Sequence, residues 1–253
     1  MCCLFQKGGS MNNLKICGLQ KTTLLDYPGH VAATVFLGGC NFHCPFCHNG
    51  ELVQKAEPLM TVEELLQFLK SRTGILEGVC ITGGEPTLFP QELEDLMREI
   101  KALGYKIKLD TNGTNPQFLS HCISEKLVDY IAMDVKASFS TYEKACGISF
   151  SAETQGHIQK SMELLKWMTA IGHIDSEFRT TLVKGIHDIG NESMIKEMTQ
   201  MLSGAQKFYL QQYVHSDNVL APTGLSAFSK EEMDAFAEKF KEYVSEVSVR
   251  GVA

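Results

Sequence analysis

The chain has one tryptophan, seven prolines and no apolar run near the ~20 residues that a bilayer-spanning helix needs. Its longest apolar candidate, Val31 to Leu37, has the length of a strand. The first ten residues carry Lys7 and two glycines but no long apolar core, so no secretory signal is expected. Basic residues are also sparse: 23 Lys and Arg stand against 30 Asp and Glu, a net charge of −7, and they are scattered. This disfavours a nonspecific nucleic-acid binder, which needs a basic footprint. Repeats of about 20–50 residues and low-complexity tracts are absent as well, which removes solenoids and disordered tails.

What remains is an ordinary globular composition, 253 residues and 44% hydrophobic, enough for one substantial core. Met11 could be an internal start, so residues 1–13 are expected to be an N-terminal extension to a single domain over 14–253. Cysteine is the abundant special residue, with nine copies. The odd count in a chain that is neither small nor secreted argues against a disulfide framework and for metal binding or buried thiols. The cytoplasm is the default location.

Six β-branched or apolar runs bounded by turn residues predict strands: Val31–Leu37, Val79–Thr82, Tyr105–Asp110, Tyr130–Val135, Glu177–Val183 and Lys207–Tyr213. Between them, helical spacing of apolar residues predicts helices over Thr61–Ser71, Pro90–Leu103, Pro116–Leu127, Ala152–Ile171, Asn191–Leu202 and Ser229–Val244. Thr61 with Glu64 three residues on has the pattern of a capping box. Six βα units imply a parallel sheet with helices outside and right-handed crossovers. A partial barrel and a doubly wound sheet both fit. In either, ligands sit at the carboxyl ends of the strands, where most of the unusual polar motifs fall.

The first predicted strand runs into Gly38-Gly39-Cys40-Asn41-Phe42-His43-Cys44-Pro45-Phe46-Cys47-His48. Three thiolates on one loop can hold three corners of a cubane iron–sulfur cluster and leave the fourth iron open. A structural zinc site wants four ligands, and His43 or His48 could supply the fourth. A redox cysteine pair and free thiols are the other readings. Cys2, Cys3, Cys17, Cys122 and Cys146 show no ligand spacing to one another, and Cys80 reads as a small buried hydrophobe.

The Cys40-x3-Cys44-x-Phe46-Cys47 loop resembles the signature of the radical S-adenosylmethionine superfamily. The stretch Gly18-Leu19-Gln20-Lys21-Thr22-Thr23-Leu24-Leu25-Asp26-Tyr27-Pro28-Gly29, with Cys44-Pro45-Phe46-Cys47-His48-Asn49, resembles the activases of glycyl-radical enzymes, above all those of anaerobic ribonucleoside-triphosphate reductase. The resemblance covers roughly residues 14–215. It implies a partial (βα)6 TIM-like barrel with parallel strands and outer helices. It also implies one 4Fe–4S cluster on Cys40, Cys44 and Cys47, with S-adenosylmethionine as cofactor. No cysteine-rich insertion follows the first loop, so a second cluster is not expected.

The remaining motifs acquire roles through the same resemblance. Phe46 and His48, within the loop, are expected to border the cofactor. Gly83, Gly84 and Glu85 of Thr82-Gly83-Gly84-Glu85-Pro86 correspond to the segment that binds the methionine amino end. Asp110 of Asp110-Thr111-Asn112-Gly113 would bond the amino-acid or ribose end; an Asx turn is the plainer reading. Asp134 and Lys136 share a strand face and would contact the cofactor. Arg179 inside an apolar strand needs a partner: a cofactor carboxylate, or a structural ion pair with Asp134 or Asp110. Gln211, in preference to Gln212, is expected near the adenine, although the Leu-Pro-Tyr-His segment of pyruvate formate-lyase activase is missing there. His187-Asp188 reads as a satisfied polar pair rather than an acid–base couple.

The resemblance implies reductive cleavage of S-adenosylmethionine to a 5′-deoxyadenosyl radical that takes hydrogen from a glycine of the partner enzyme. A flavodoxin or ferredoxin would supply the electron. The segment Gln20 to Gly29 is expected at the substrate entrance. Three other readings stand beside this one, the first an activase of another glycyl-radical enzyme, of the pyruvate formate-lyase type. A small-molecule radical enzyme like the 7-carboxy-7-deazaguanine synthases would lack the Gln20–Pro28 text, and a non-catalytic iron–sulfur or zinc protein would not need Gly83-Gly84-Glu85.

Overall fold

The computed structural model describes residues 14–54 and 56–251. The expected extension over 1–13 lies outside the described residues. Eight strands form one sheet: β1 Ile16–Thr23, β2 Ala32–Leu37, β3 Gly78–Gly83, β4 Lys106–Thr111, β5 Tyr130–Asp134, β6 Asp175–Leu182, β7 Lys207–Gln212 and β8 Glu246–Arg250. The helices are α1 Gly50–Gln54, α2 Val62–Ser71, α3 Pro90–Ala102, α4 Pro116–Ser124, α5 Tyr142–Cys146, α6 Ala152–Ala170, α7 Glu192–Leu202 and α8 Lys230–Glu238.

The strands lie in chain order from β1 to β8. β2 through β8 are parallel, and β1 runs antiparallel to β2. A doubly wound sheet would reverse its order part-way. This one does not, so the fold is the partial barrel with parallel strands and outer helices. No pairing joins β1 to β8 among the described residues, and the barrel stays open there.

Local chemistry explains the well-predicted elements. Thr61 Oγ1 accepts from the Glu64 amide at 3.2 Å and the Glu64 carboxylate accepts from the Thr61 amide at 2.8 Å, so α2 starts on its capping box. Pro90 and Pro116 occupy first-turn positions of α3 and α4, where the missing N–H costs nothing. Helix α4 stops at Ser124, short of the expected Leu127, and Lys126 adopts a left-handed φ of 55°. Helix α8 likewise ends at Glu238 rather than Val244.

Strands β1 and β8 were not legible. Both are sheet edges, with little apolar patterning to distinguish ICGLQKTT or EVSVR from loop.

Alternation along each strand divides the barrel. Outward-facing Val35, Ile81, Leu109, Ile131 and Met133 pack in one buried cluster with Leu65, Leu69, Leu93, Leu96 and Ile100 of the helices. The inward face carries Cys80, Lys108, Asp110, Tyr130, Asp134, Glu177 and Arg179, a polar interior that must satisfy itself. Cys80 is fully buried as expected, but on this polar face, 3.8 Å from the Lys108 ammonium.

One expectation is overturned. Because β1 is antiparallel, the chain after Thr23, opposite Ala32, emerges at the amino ends of the parallel strands. Tyr27 lies under Gly78 at the start of β3 and contacts the Tyr130 ring at 6.1 Å, while Asp26 accepts from Thr34 at 2.6 Å. The distal part of Gln20–Gly29 therefore plugs the bottom of the barrel and does not form an entrance beside the cysteine loop.

Candidate active site

The loop after β2 carries Cys40, Cys44 and Cys47 across the carboxyl ends of the strands, and neighbours on several sides hold it. Gly84 and Glu85, after β3, donate their amides to Leu37 and Gly39, each at 2.8 Å. A Cβ on Gly84 would lie 1.9 Å from the Gly39 oxygen, so only glycine permits this approach. Asn49 donates to the Gly83 carbonyl at 3.1 Å. Asn41 links the loop to Asn112 at 2.7 Å and Thr114 at 2.9 Å. His43 donates to the Cys146 carbonyl at 2.8 Å. The segment after β7 runs alongside: Leu220 and Ala221 donate to the Cys47 and Pro45 carbonyls at 3.1 and 2.9 Å, and His48 Nε2 donates to the Val214 carbonyl at 2.6 Å.

All thirteen residues named from the sequence border one cavity of about 220 Å3: the three cysteines, Phe46, His48, Gly83, Gly84, Glu85, Asp110, Asp134, Lys136, Arg179 and Gln211. Sequence reasoning missed Phe42, Asn49, Val53, Thr82, Thr111, Asn112 and Thr181, which line it too. Thr111 and Asn112 lie inside a motif already singled out, whereas Val53 and Thr181 carry no signal of their own. Gln212 donates to the Phe228 carbonyl at 2.7 Å, leaving Gln211 as the cavity-facing glutamine.

Five charged side chains form a ladder; four of them, Lys136, Asp134, Arg179 and Asp110, border the cavity. Lys136 pairs with Asp134 Oδ2 at 3.0 Å, and Arg179 Nε with Asp134 Oδ1 at 2.9 Å. Arg179 Nη1 pairs with Asp110 Oδ2 at 3.2 Å, and Lys108 closes the row on Asp110 Oδ1. Arg179 thus makes both structural pairs that were the alternative to a ligand carboxylate. Burial pushes both carboxyls up, but Arg179 with Lys108 or Lys136 outweighs it and holds each below the ordinary carboxylate range. Burial would lower the Lys136 ammonium, yet Asp134 beside it holds it well above its ordinary value.

Glu85 is buried and accepts four bonds: from the Thr87 amide and hydroxyl at 3.0 and 2.6 Å, Thr111 Oγ1 at 2.8 Å and the Asn112 amide at 2.6 Å. Its Oε1 is filled by three of these donors. Glu85 therefore joins the turns after β3 and β4, in addition to bordering the cavity. His187 is buried with both nitrogens engaged: Nδ1 accepts the Val183 amide at 3.2 Å and Nε2 donates to the Lys136 carbonyl at 2.9 Å. Burial lowers it to about 4, so it is a neutral, satisfied residue, as expected.

The donor set suits a cluster. Burial pushes the Cys40 and Cys44 thiols up to about 11 and about 12. Three cysteines on one loop match the three thiolates that a cubane with one open iron takes. A cubane takes its thiolates at separate iron corners.

Comparison with known proteins agrees with this geometry. Residues 34–198 match the Radical SAM superfamily, and the chain belongs to that superfamily. It is 30% identical to a protein of Methanocaldococcus jannaschii named as a candidate glycyl-radical enzyme activating enzyme, over 94% of this chain and 96% of that one. It is also 30% identical to the pyruvate formate-lyase-activating enzyme of Staphylococcus epidermidis, over 75% and 76%. Neisseria meningitidis serogroup B 7-carboxy-7-deazaguanine synthase shares 36% identity over 47% of this chain and 50% of its own. Among solved structures, Streptococcus suis SuiB bound to S-adenosylmethionine superposes with a TM-score of 0.61 at 14% identity, over 84% of this chain and 48% of SuiB. The likeness extends to the fold. No helix among the described residues is long and apolar enough to cross a membrane.

Proposed function

We propose that this protein is an activase of a glycyl-radical enzyme, acting through S-adenosylmethionine and one 4Fe–4S cluster on Cys40, Cys44 and Cys47. The observation that carries it is the convergence of the cysteine loop, the Gly83-Gly84-Glu85 turn and the charged ladder on one cavity. Two relatives matched over most of their length and bearing activase names support it. Bound and reduced, such a cluster would supply the one electron needed for reductive cleavage of S-adenosylmethionine to methionine and a 5′-deoxyadenosyl radical, and the partner's glycine would give up the hydrogen.

The chain's own work is binding and orientation. Cys40, Cys44 and Cys47 would hold the cluster, and the turn after β3 would offer backbone to the ligand amino group. Arg179, which borders the cavity, would meet the ligand carboxylate, and Gln211, also on its wall, would lie towards the adenine. Phe42 and Phe46, both buried, wall the cavity with surfaces that exclude water. The partner is anaerobic ribonucleoside-triphosphate reductase in this reading, with flavodoxin or ferredoxin as donor and the cytoplasm as location.

Anaerobic reconstitution, then incubation with dithionite and S-adenosylmethionine, tests the reaction. The expected product is 5′-deoxyadenosine, and its absence refutes the enzyme reading. Adding the reductase and recording a glycyl signal by EPR tests the partner. A second reading, small-molecule chemistry as in 7-carboxy-7-deazaguanine synthase, draws on the 36% identity over half the chain. It predicts radical chemistry on a small molecule with no partner protein present, and no glycyl signal.

A further inference from the structure

Lys108 belonged to no motif, yet it ends the charged ladder. It stands two residues before Asp110 on the same face of β4 and is 2% exposed. Its ammonium pairs with Asp110 Oδ1, lies 3.8 Å from Cys80 Sγ and 6.0 Å from the centre of the Tyr130 ring. It does not border the cavity; Asp110 and Arg179 do. Burying an ammonium here is costly, and an apolar side chain of similar length would fill the space without that cost.

The charge count shows what the ammonium adds. Lys108, Arg179 and Lys136 face two carboxylates, Asp110 and Asp134, so the ladder is net +1. The donors on the neighbouring Glu85 are neutral: Thr87, Thr111 and the Asn112 amide. Each carboxylate divides itself between Arg179 and a lysine. Without Lys108, Asp110 would turn wholly on Arg179 and the ladder would be neutral. An anionic ligand group would then meet a guanidinium whose charge is already matched.

We propose that Lys108 is a positioning residue for a carboxylate-bearing ligand: it holds the far oxygen of Asp110 and so leaves Arg179 with positive charge to present to the cavity. The proposal rests on the S-adenosylmethionine reading of the cavity and deepens it. Lys108 acts through Asp110 and Arg179 and touches no ligand.

The test measures binding without turnover. Reconstituted, unreduced protein is titrated by equilibrium dialysis with S-adenosylmethionine and with its decarboxylated analogue, for the unmodified chain, Lys108→Met and Lys108→Arg. The unmodified chain is expected to prefer the carboxylate-bearing ligand. Lys108→Met is expected to weaken S-adenosylmethionine about tenfold and the analogue less than about threefold, and Lys108→Arg to restore the preference. Because the readout is a ratio taken on one preparation, a partly unfolded fraction does not move it. An unchanged preference in Lys108→Met, or equal weakening of both ligands, overturns the role of Lys108 while leaving the cofactor reading intact. If the unmodified chain binds neither ligand, the cofactor reading falls and this proposal with it.

Discussion

Replacing Gly84 with alanine tests how the cysteine loop is held. The added Cβ would lie 1.9 Å from the Gly39 oxygen and 2.6 Å from its carbonyl carbon, both backbone atoms. No side chain can rotate away, so the two turns must separate. Gly84 does not have a left-handed φ, which makes the effect steric rather than conformational. Separation strains two bonds of 2.8 Å, Gly84 to Leu37 and Glu85 to Gly39. Each is worth about 1 kcal/mol, and overpacking adds about 1–3 kcal/mol, a total near 3–5 kcal/mol. At about 2–4 °C per kcal/mol for a chain of this size, the melting temperature should fall by roughly 10 °C. Since Gly39 adjoins Cys40, iron bound per chain after reconstitution should fall as well. Gly156→Ala is the control: it lies in α6 with nothing within 4 Å, and should gain about 0.5–1 kcal/mol. Calorimetry and iron analysis on both variants decide the matter. A Gly84→Ala protein that melts within about 1 °C of the parent and keeps its iron refutes the reasoning.

Other consequences are as concrete. His187 is lowered to about 4 from an ordinary 6.5, so folding favours its neutral form. Its contribution is complete above pH ~6.5 and is lost as pH falls towards ~4, up to about 3 kcal/mol. Urea midpoints at pH 7.5 and 4.5 should differ more for the parent than for His187→Gln. Arg250→Met removes both bonds of 3.2 Å to the buried Glu177, which keeps the 2.7 Å bond from Tyr130 Oη, and should cost about 2–3 kcal/mol by thermal unfolding. Cys47→Ala should lose the reconstituted iron–sulfur absorbance, whereas Cys146→Ala, whose thiol donates to the Glu143 and Ile148 carbonyls at 3.6 and 3.7 Å, should retain it.

Much of the site was legible because its chemistry is local. Cys40, Cys44 and Cys47 share one loop, and Gly83-Gly84-Glu85 share one turn, so spacing singled them out and the family resemblance gave them roles. The six central βα units were legible too, since buried parallel strands read as apolar runs and capped helices announce their starts. Edge strands β1 and β8 were not, because one side of each lacks the neighbour that imposes a pattern. Misjudging β1 also misplaced Gln20–Gly29: without its antiparallel direction, the end of the barrel it reaches cannot be known.

The sequence by itself determined which residues could carry the chemistry, because thiolate spacing, glycine and charge are properties of the residues in order. Only the tertiary structure decided how they share the work. Glu85 bonds Thr87, Thr111 and Asn112, and Arg179 stands between Asp110 and Asp134, with Lys108 beneath. These partners come from different strands and meet only when the sheet curls into a barrel. Burial then forces each charge to find a neighbour, and no spacing along the chain records which one it found.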